Sequence, residues 1–258
     1  MEYLVICIVA LITSGLTLFS GFGLGTLLMP AFALFFPLEI AVALTAIVHF
    51  ANNVFKFVLL GKHADKGVVL RFGLPAIVAA FLGARLLILL SEMQPLASYQ
   101  MFGRDLQVML VKLVVAILMI VFALFELIPR LEKMSFDRKY LPAGGILSGF
   151  FGGLSGHQGA LRSAFLVKSG LAKESFIGTG VVIACLVDVT RLSAYGSHFS
   201  QAKAGENVYL LLAAIISAFL GAFIGTRLVK KVTMRVIQTI VSIMLIGIAI
   251  GLGTGIIK

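Results

Sequence analysis

Apolar residues run along this chain in long blocks rather than alternating as in a half-buried strand. Six blocks stand out, at 39–60, 68–90, 106–128, 171–193, 207–230 and 235–257, each about 22–24 residues long. A membrane-crossing helix needs ~20 such residues, so each block predicts one span. Two further apolar regions are interrupted. Region 3–36 carries the run Ser20-Gly21-Phe22-Gly23-Leu24-Gly25, and region 141–169 carries Ser155-Gly156-His157-Gln158-Gly159. At 1.5 Å per residue, either region drawn as one straight helix is ~45–50 Å long, too long for a hydrocarbon core of ~30 Å. Each therefore predicts two short helical arms of roughly half a span, broken at glycines and folded back as a re-entrant hairpin.

The pattern repeats. At an offset of 135 positions, Ser20-Gly21 falls on Ser155-Gly156, Glu39 on Glu174, Asn53 on Asp188 and Lys56 on Arg191. Further along, Ala80–Leu87 and Ala222–Val229 agree at five of eight positions. The expected organisation is a first repeat at 1–135 (hairpin 3–36, spans 39–60, 68–90 and 106–128). A second repeat follows at 136–258 (hairpin 141–169, spans 171–193, 207–230 and 235–257).

Loop charge gives the expected orientation. If each hairpin enters and leaves on one side, loops 61–71, 129–141, 168–173 and 230–235 share a face. That face carries Lys62, Lys66, Arg71, Arg130, Lys133, Arg138, Lys139, Lys168, Lys173, Lys230, Lys231 and Arg235, twelve cations against three (Arg104, Lys203, Lys258) on the other. If each broken region crossed once, the split would be eight against seven. Cytoplasmic loops are enriched in Lys and Arg, so the twelve-to-three arrangement is preferred. An odd number of crossings per repeat inverts the second repeat. The fold class expected is thus an all-α polytopic membrane protein of two inverted-topology repeats, each a glycine-broken hairpin plus three transmembrane helices, with both termini outside the cytoplasm.

Composition narrows the function classes. Hydrophobic residues make up 60% of the 258 positions and charged residues 12%, against roughly 45–50% and 25% in soluble domains. A water-soluble enzyme, a disulfide scaffold, a coiled coil and a disordered chain are excluded. The net charge of +10 reads as loop bias, and no nucleic-acid partner is expected; the partners are the bilayer and a small anion. Cys7 and Cys185 sit in apolar segments and read as packing residues. His49, His63, His157 and His198 lack metal-ligand spacing, and no Walker sequence is present. No metal, cofactor or enzymatic activity is expected.

Candidate chemistry lies at the breaks and in the polar stripe of one span. A helix that starts inside the bilayer presents free backbone N–H groups and the positive end of its dipole, which favour an anion. The breaks add glycines, where backbone can approach a ligand (Gly21, Gly23, Gly25, Gly156, Gly159), and hydroxyls at Ser20 and Ser155. Arg162, one turn past the second break, carries a planar fork of donors that suits two anion oxygens; His157 and Gln158 sit in the break itself. His49, Asn52, Asn53 and Lys56, at i, i+3, i+4 and i+7, form one polar stripe, with His49 and Asn53 the candidate site residues. Lys56 either snorkels toward the nearby helix end or joins the stripe in coupling or gating. Asp188, an acid in the middle of a span, either pairs with Arg191 or Arg162 or carries a proton; Arg191 shares the gating role.

Taken together, the Ser20–Gly25 break followed by Met29-Pro30, the stripe His49–Lys56 and the second break Gly152–Gly159 followed by Arg162 resemble the TauE/SafE sulfite and organosulfonate exporter family. The resemblance spans nearly the whole chain. It implies a multi-pass carrier of the inner membrane that exports a small sulfur-containing anion such as sulfite or sulfoacetate. On the residues alone, an anion channel or a carrier of another small organic anion remains open.

Overall fold

The computed structural model describes residues 1–20, 24–101, 103–132, 134–199, 207–228 and 234–257. Helices dominate. The first broken region forms α1 (Glu2–Ser20) and α2 (Leu24–Ala33). Then come α3 (Leu38–Leu60), the one-turn α4 (Lys66–Val68), a π turn over Val69–Gly73, and α5 (Leu74–Ser91). Beyond a β-hairpin lie α6 (Leu110–Leu127) and the short α7 (Pro129–Glu132). The second broken region forms α8 (Leu141–Ser155) and α9 (Gly159–Leu166), followed by α10 (Lys173–Phe199), α11 (Val208–Leu228) and α12 (Met234–Gly253).

By length and composition, four helical stretches are long and apolar enough to cross a membrane: Leu38–His63, Lys66–Ser91, Leu110–Leu127 and Lys173–Gly196. The described parts of α11 and α12 give shorter apolar stretches, Val208–Ile224 and Val241–Gly253. Large apolar side chains are exposed on nearly every long helix, among them Ile12, Val58, Val78, Ile117, Val189, Ile216 and Ile243. In water such a surface would aggregate; against lipid it is the expected outer face.

The predominance of helix fits the all-α membrane protein expected, and three details differ from the expectation. The chain is not purely helical: strands β1 (Ala97–Met101) and β2 (Arg104–Val108) pair antiparallel, Ala97 opposite Val108 and Met101 opposite Arg104. The span expected at 106–128 therefore begins only at Leu110. Residues 105–108 alternate polar and apolar (Asp-Leu-Gln-Val), a strand period rather than a helical one. The hairpin is tied to the C-terminal end of α12: the Tyr99 hydroxyl donates to Thr254 O at 2.7 Å, and Gly255, in the left-handed region at φ 79°, packs on the Gln107 carbonyl. Finally, the arms of the breaks are unequal rather than each half a span. α1 has 19 residues and α8 has 15, whereas α2 has 10 and α9 has 8. At 1.5 Å per residue α1 is nearly as long as the hydrocarbon core is thick.

The helices pack in definite pairs: α5 with α8, α1 with α11, α6 with α12, and α3 with α10. Glycine makes two of these close. On α8, Gly145, Gly149 and Gly153 lie against the carbonyls of Phe72, Ala76 and Ala80, where a Cβ would collide with backbone. On α11, Gly221 meets the Leu11 carbonyl of α1 in the same way. Small residues at such contacts let membrane helices approach where no hydrophobic effect drives them together.

One end of the bundle gathers three of the basic loops. The Asp65 N–H donates to Thr179 Oγ1 at 2.8 Å, and the Phe136 N–H donates to Ala164 O at 3.2 Å. The Phe136 and Phe165 rings stack 4.3 Å apart. Val68, Phe72, Leu141, Phe165, Leu166 and Ile183 close this end as one apolar cluster. α8 thus starts beside the point where α9 ends. Loop 230–235 lies almost wholly outside the described residues.

Candidate functional site

The second break is built by a left-handed glycine. α8 ends at Ser155, and Gly156 follows at φ 81°, a conformation that residues with a Cβ rarely adopt. The chain then turns through His157 and Gln158 into α9, which starts at Gly159. The break also meets the first one. A Cβ on Gly25, in the first turn of α2, would sit 2.9 Å from the Gly156 carbonyl and 3.8 Å from Thr45 Cγ2 on α3.

Against this junction α3 and α10 place a buried polar cluster centred on Asp188. Its Oδ1 accepts from Arg191 Nε at 3.0 Å and from Gln158 Nε2 at 3.2 Å, and Arg191 Nη2 lies 2.8 Å away. Its Oδ2 is 2.6 Å from His49 Nδ1 and accepts from Asn53 Nδ2 at 3.2 Å. A carboxylate can only accept, so His49 Nδ1 carries the proton in this contact. Asp188 and Arg191 are both fully buried. Removing two charges from water is repaid only when geometry is good and the remaining polar atoms are satisfied; here four side chains satisfy one carboxylate.

Arg191 also caps α8, together with Tyr195 and His157. The last carbonyls of a helix have no partner within it. Tyr195 OH donates to Gly153 O, and Arg191 Nη1 donates to Gly152 O at 3.3 Å. His157 Nδ1 lies 3.0 Å from Ser155 O. A cation at a helix C-terminus is favoured by the dipole as well.

The structure brings together most of the expected residues. His49, Asn53, Gln158, Asp188 and Arg191 form the cluster directly. Of the two partners expected for Asp188, Arg191 is in contact. Arg162 is joined only through Gln158, whose Oε1 accepts from Arg162 Nη1 at 3.2 Å. His157 stacks flat on Phe122 of α6, ring centres 5.4 Å apart, and its Nε2 has no protein partner although the residue is buried. Ser155 bonds back to Phe151 O at 3.1 Å within α8. Lys56 is only 7% exposed, so it does not snorkel and stays with the polar stripe. The Ser20 side chain and residues Gly21 and Gly23 lie outside the described residues.

Several neighbours went unpredicted. Tyr195 lies four residues past Arg191, and Thr45 four residues before His49; extending each polar stripe by one turn would have reached them. Ser14 on α1 donates to Asn52 Oδ1 at 3.0 Å, a link between distant segments with no local signal. Thr45 Oγ1 and Asn52 Nδ2 are, like His157 Nε2, buried without a protein partner. Thr45 and His157 flank the junction, and such groups suit a polar ligand, since a buried polar atom left unpaired costs about 1–3 kcal/mol. Among the described residues, no group of three or more His, Cys, Asp or Glu side chains is arranged to hold a metal ion.

A helical, lipid-faced bundle with a charged cluster in its interior defines a multi-pass membrane protein. The sequence model of the family described as Sulfite exporter TauE/SafE matches residues 6–252. The chain belongs to that family, whose members are membrane transporters. No curated protein and no solved structure matches the chain.

Proposed function

We propose that this protein exports a small sulfur-containing anion (sulfite, sulfoacetate or a related organosulfonate) by alternating access, with the anion held where the two helix breaks meet. The observation that carries this reading is the meeting of both breaks, Gly25 against Gly156, beside a buried charged cluster. Transporters of broken-helix design bind substrate at the repeat interface, at helix termini near the midplane. The α9 N-terminus supplies backbone donors, and Arg162 a fork for two oxygens. Asp188, His49 and Arg191 hold the surrounding scaffold and are the candidates for coupling or gating.

Two facts support the inverted-repeat part of the reading. Exchanging the two halves of the chain (α1 for α8, α3 for α10, α5 for α11, α6 for α12) maps the observed helix pairs onto one another. Asn53 and Asp188, at equivalent repeat positions, also touch each other, as residues near an internal two-fold axis would. The charge split further favours a cytoplasmic loop 129–141 and an external C-terminus.

The test is counterflow in proteoliposomes. Sulfite or sulfoacetate trapped inside should accelerate uptake of the labelled anion, with saturation, and Arg162→Ala should abolish it. Flux that neither saturates nor responds to trapped anion would make the protein a channel and overturn the carrier reading.

A further inference from the structure

Around Asp188, the buried cations outnumber the carboxylates among the described residues. Asp188 is matched by Arg191, at 2.8 and 3.0 Å. Two more cations lie toward the basic-loop end of that cluster. Lys56 is 7% exposed and has no protein hydrogen-bond partner among the described residues. Arg162 is partly buried, and its bond is to the neutral amide oxygen of Gln158. Among the described residues neither forms an ion pair with a carboxylate; Asp188 reaches Arg162 only across Gln158.

They share one layer of the bundle. α3 and α10 run side by side. Asn53 contacts Asp188 at one level, and the Leu60 carbonyl meets Gly178 at another. Lys56 falls between these levels. So does Arg162, whose Nε would lie 3.6 Å from a Cβ on Gly180 of α10. An uncompensated buried charge costs several kcal/mol, and two together cost more. A stripe lysine with an apolar reach to lipid would snorkel out; this one is held inside, beside a second cation.

We propose that Lys56 and Arg162 together form a two-cation anion site, and that the substrate it selects therefore carries two negative charges. This rests on the anion-carrier reading above, places the anion one layer from the junction of the breaks toward the basic loops, and specifies the substrate: sulfite rather than bisulfite, and a sulfonate bearing a second acid group rather than a simple or zwitterionic sulfonate. Arg162 takes two oxygens of one acid group through its planar fork, and Lys56 meets the remaining charge as a compact ammonium. A monoanion leaves one of the two cations unmatched.

The experiment compares sulfoacetate with its carboxyl methyl ester, which keeps the sulfonate and loses one charge. Binding to the purified full-length protein is measured by calorimetry for the wild type, Lys56→Met and Lys56→Arg. The wild type should prefer sulfoacetate by at least about tenfold. Lys56→Met should bring the preference to within about twofold by weakening sulfoacetate, and Lys56→Arg should retain it. Lys56→Met removes a buried charge in favour of a side chain of similar length, so it should fold at least as well. Equal affinity for the two anions in the wild type, or an unchanged preference in Lys56→Met, overturns the two-cation site and leaves anion transport standing. Wild-type protein that binds neither anion would instead remove the anion-carrier reading itself.

Discussion

Two neighbouring layers of this bundle hold charge in opposite ways. Around Asp188 every strong group is matched: the carboxylate takes Arg191, His49, Asn53 and Gln158, and Arg191 also reaches the Gly152 carbonyl. One layer toward the basic loops, neither Lys56 nor Arg162 forms an ion pair with a carboxylate among the described residues. The difference teaches where to look for structure and where for ligand. A satisfied buried pair is a closed unit, and breaking it strands a charge. An unsatisfied pair of like charge is a place where the protein is incomplete without an anion. Gln158 joins the layers, its amide nitrogen on Asp188 and its amide oxygen on Arg162.

Substitutions can break or sharpen that contrast. The largest effect should come from Asp188→Ala. It leaves Arg191 buried without its counter-charge and should cost about 3–5 kcal/mol of stability, read as a large drop in the melting temperature of the purified protein whether or not anion is present. Wild-type stability in this variant would show that the matched layer is not closed. Next is Arg162→Lys. A lysine keeps the charge but not the fork. Sulfoacetate affinity should fall about tenfold, or about 1.4 kcal/mol, with the melting temperature of the anion-free protein unchanged or raised. A loss of stability without a loss of affinity would move Arg162 from the ligand to the scaffold. The smallest effect should come from Tyr195→Phe, which removes one donor from the Gly153 carbonyl. It should cost about 1 kcal/mol and leave anion affinity untouched. A binding defect there would mean that the two layers are coupled beyond Gln158.

Much of the site was legible along the chain because ionisable residues in apolar spans are conspicuous. Asp188, Arg162 and the stripe from His49 to Lys56 need no structure to be noticed. Their partners were not legible. That Asp188 takes Arg191 and His49, while Arg162 takes Gln158, depends on how α3, α9 and α10 face one another. The β-hairpin was hidden because its strand period covers only a few residues beside a long apolar block. The unequal arms of the breaks were hidden as well, because glycines near Ser20 mark an interruption without setting how far α1 extends on its near side.

The family is shown by the sequence, through its match over residues 6–252, and the membrane setting by composition, since 60% hydrophobic residues in 20-residue blocks have no soluble solution. The basic loops, the two breaks and the repeated offset also belong to the linear pattern. The tertiary structure alone decided that the two breaks meet at Gly25 and Gly156, that Asn53 touches its own repeat mate, and that Lys56 turns inward. The physical reason is range. Hydrophobic blocks and loop charges act through the bilayer, a solvent every residue meets independently, so they can be read one segment at a time. Hydrogen bonds and ion pairs act over about 3 Å, so they exist only after distant segments have packed.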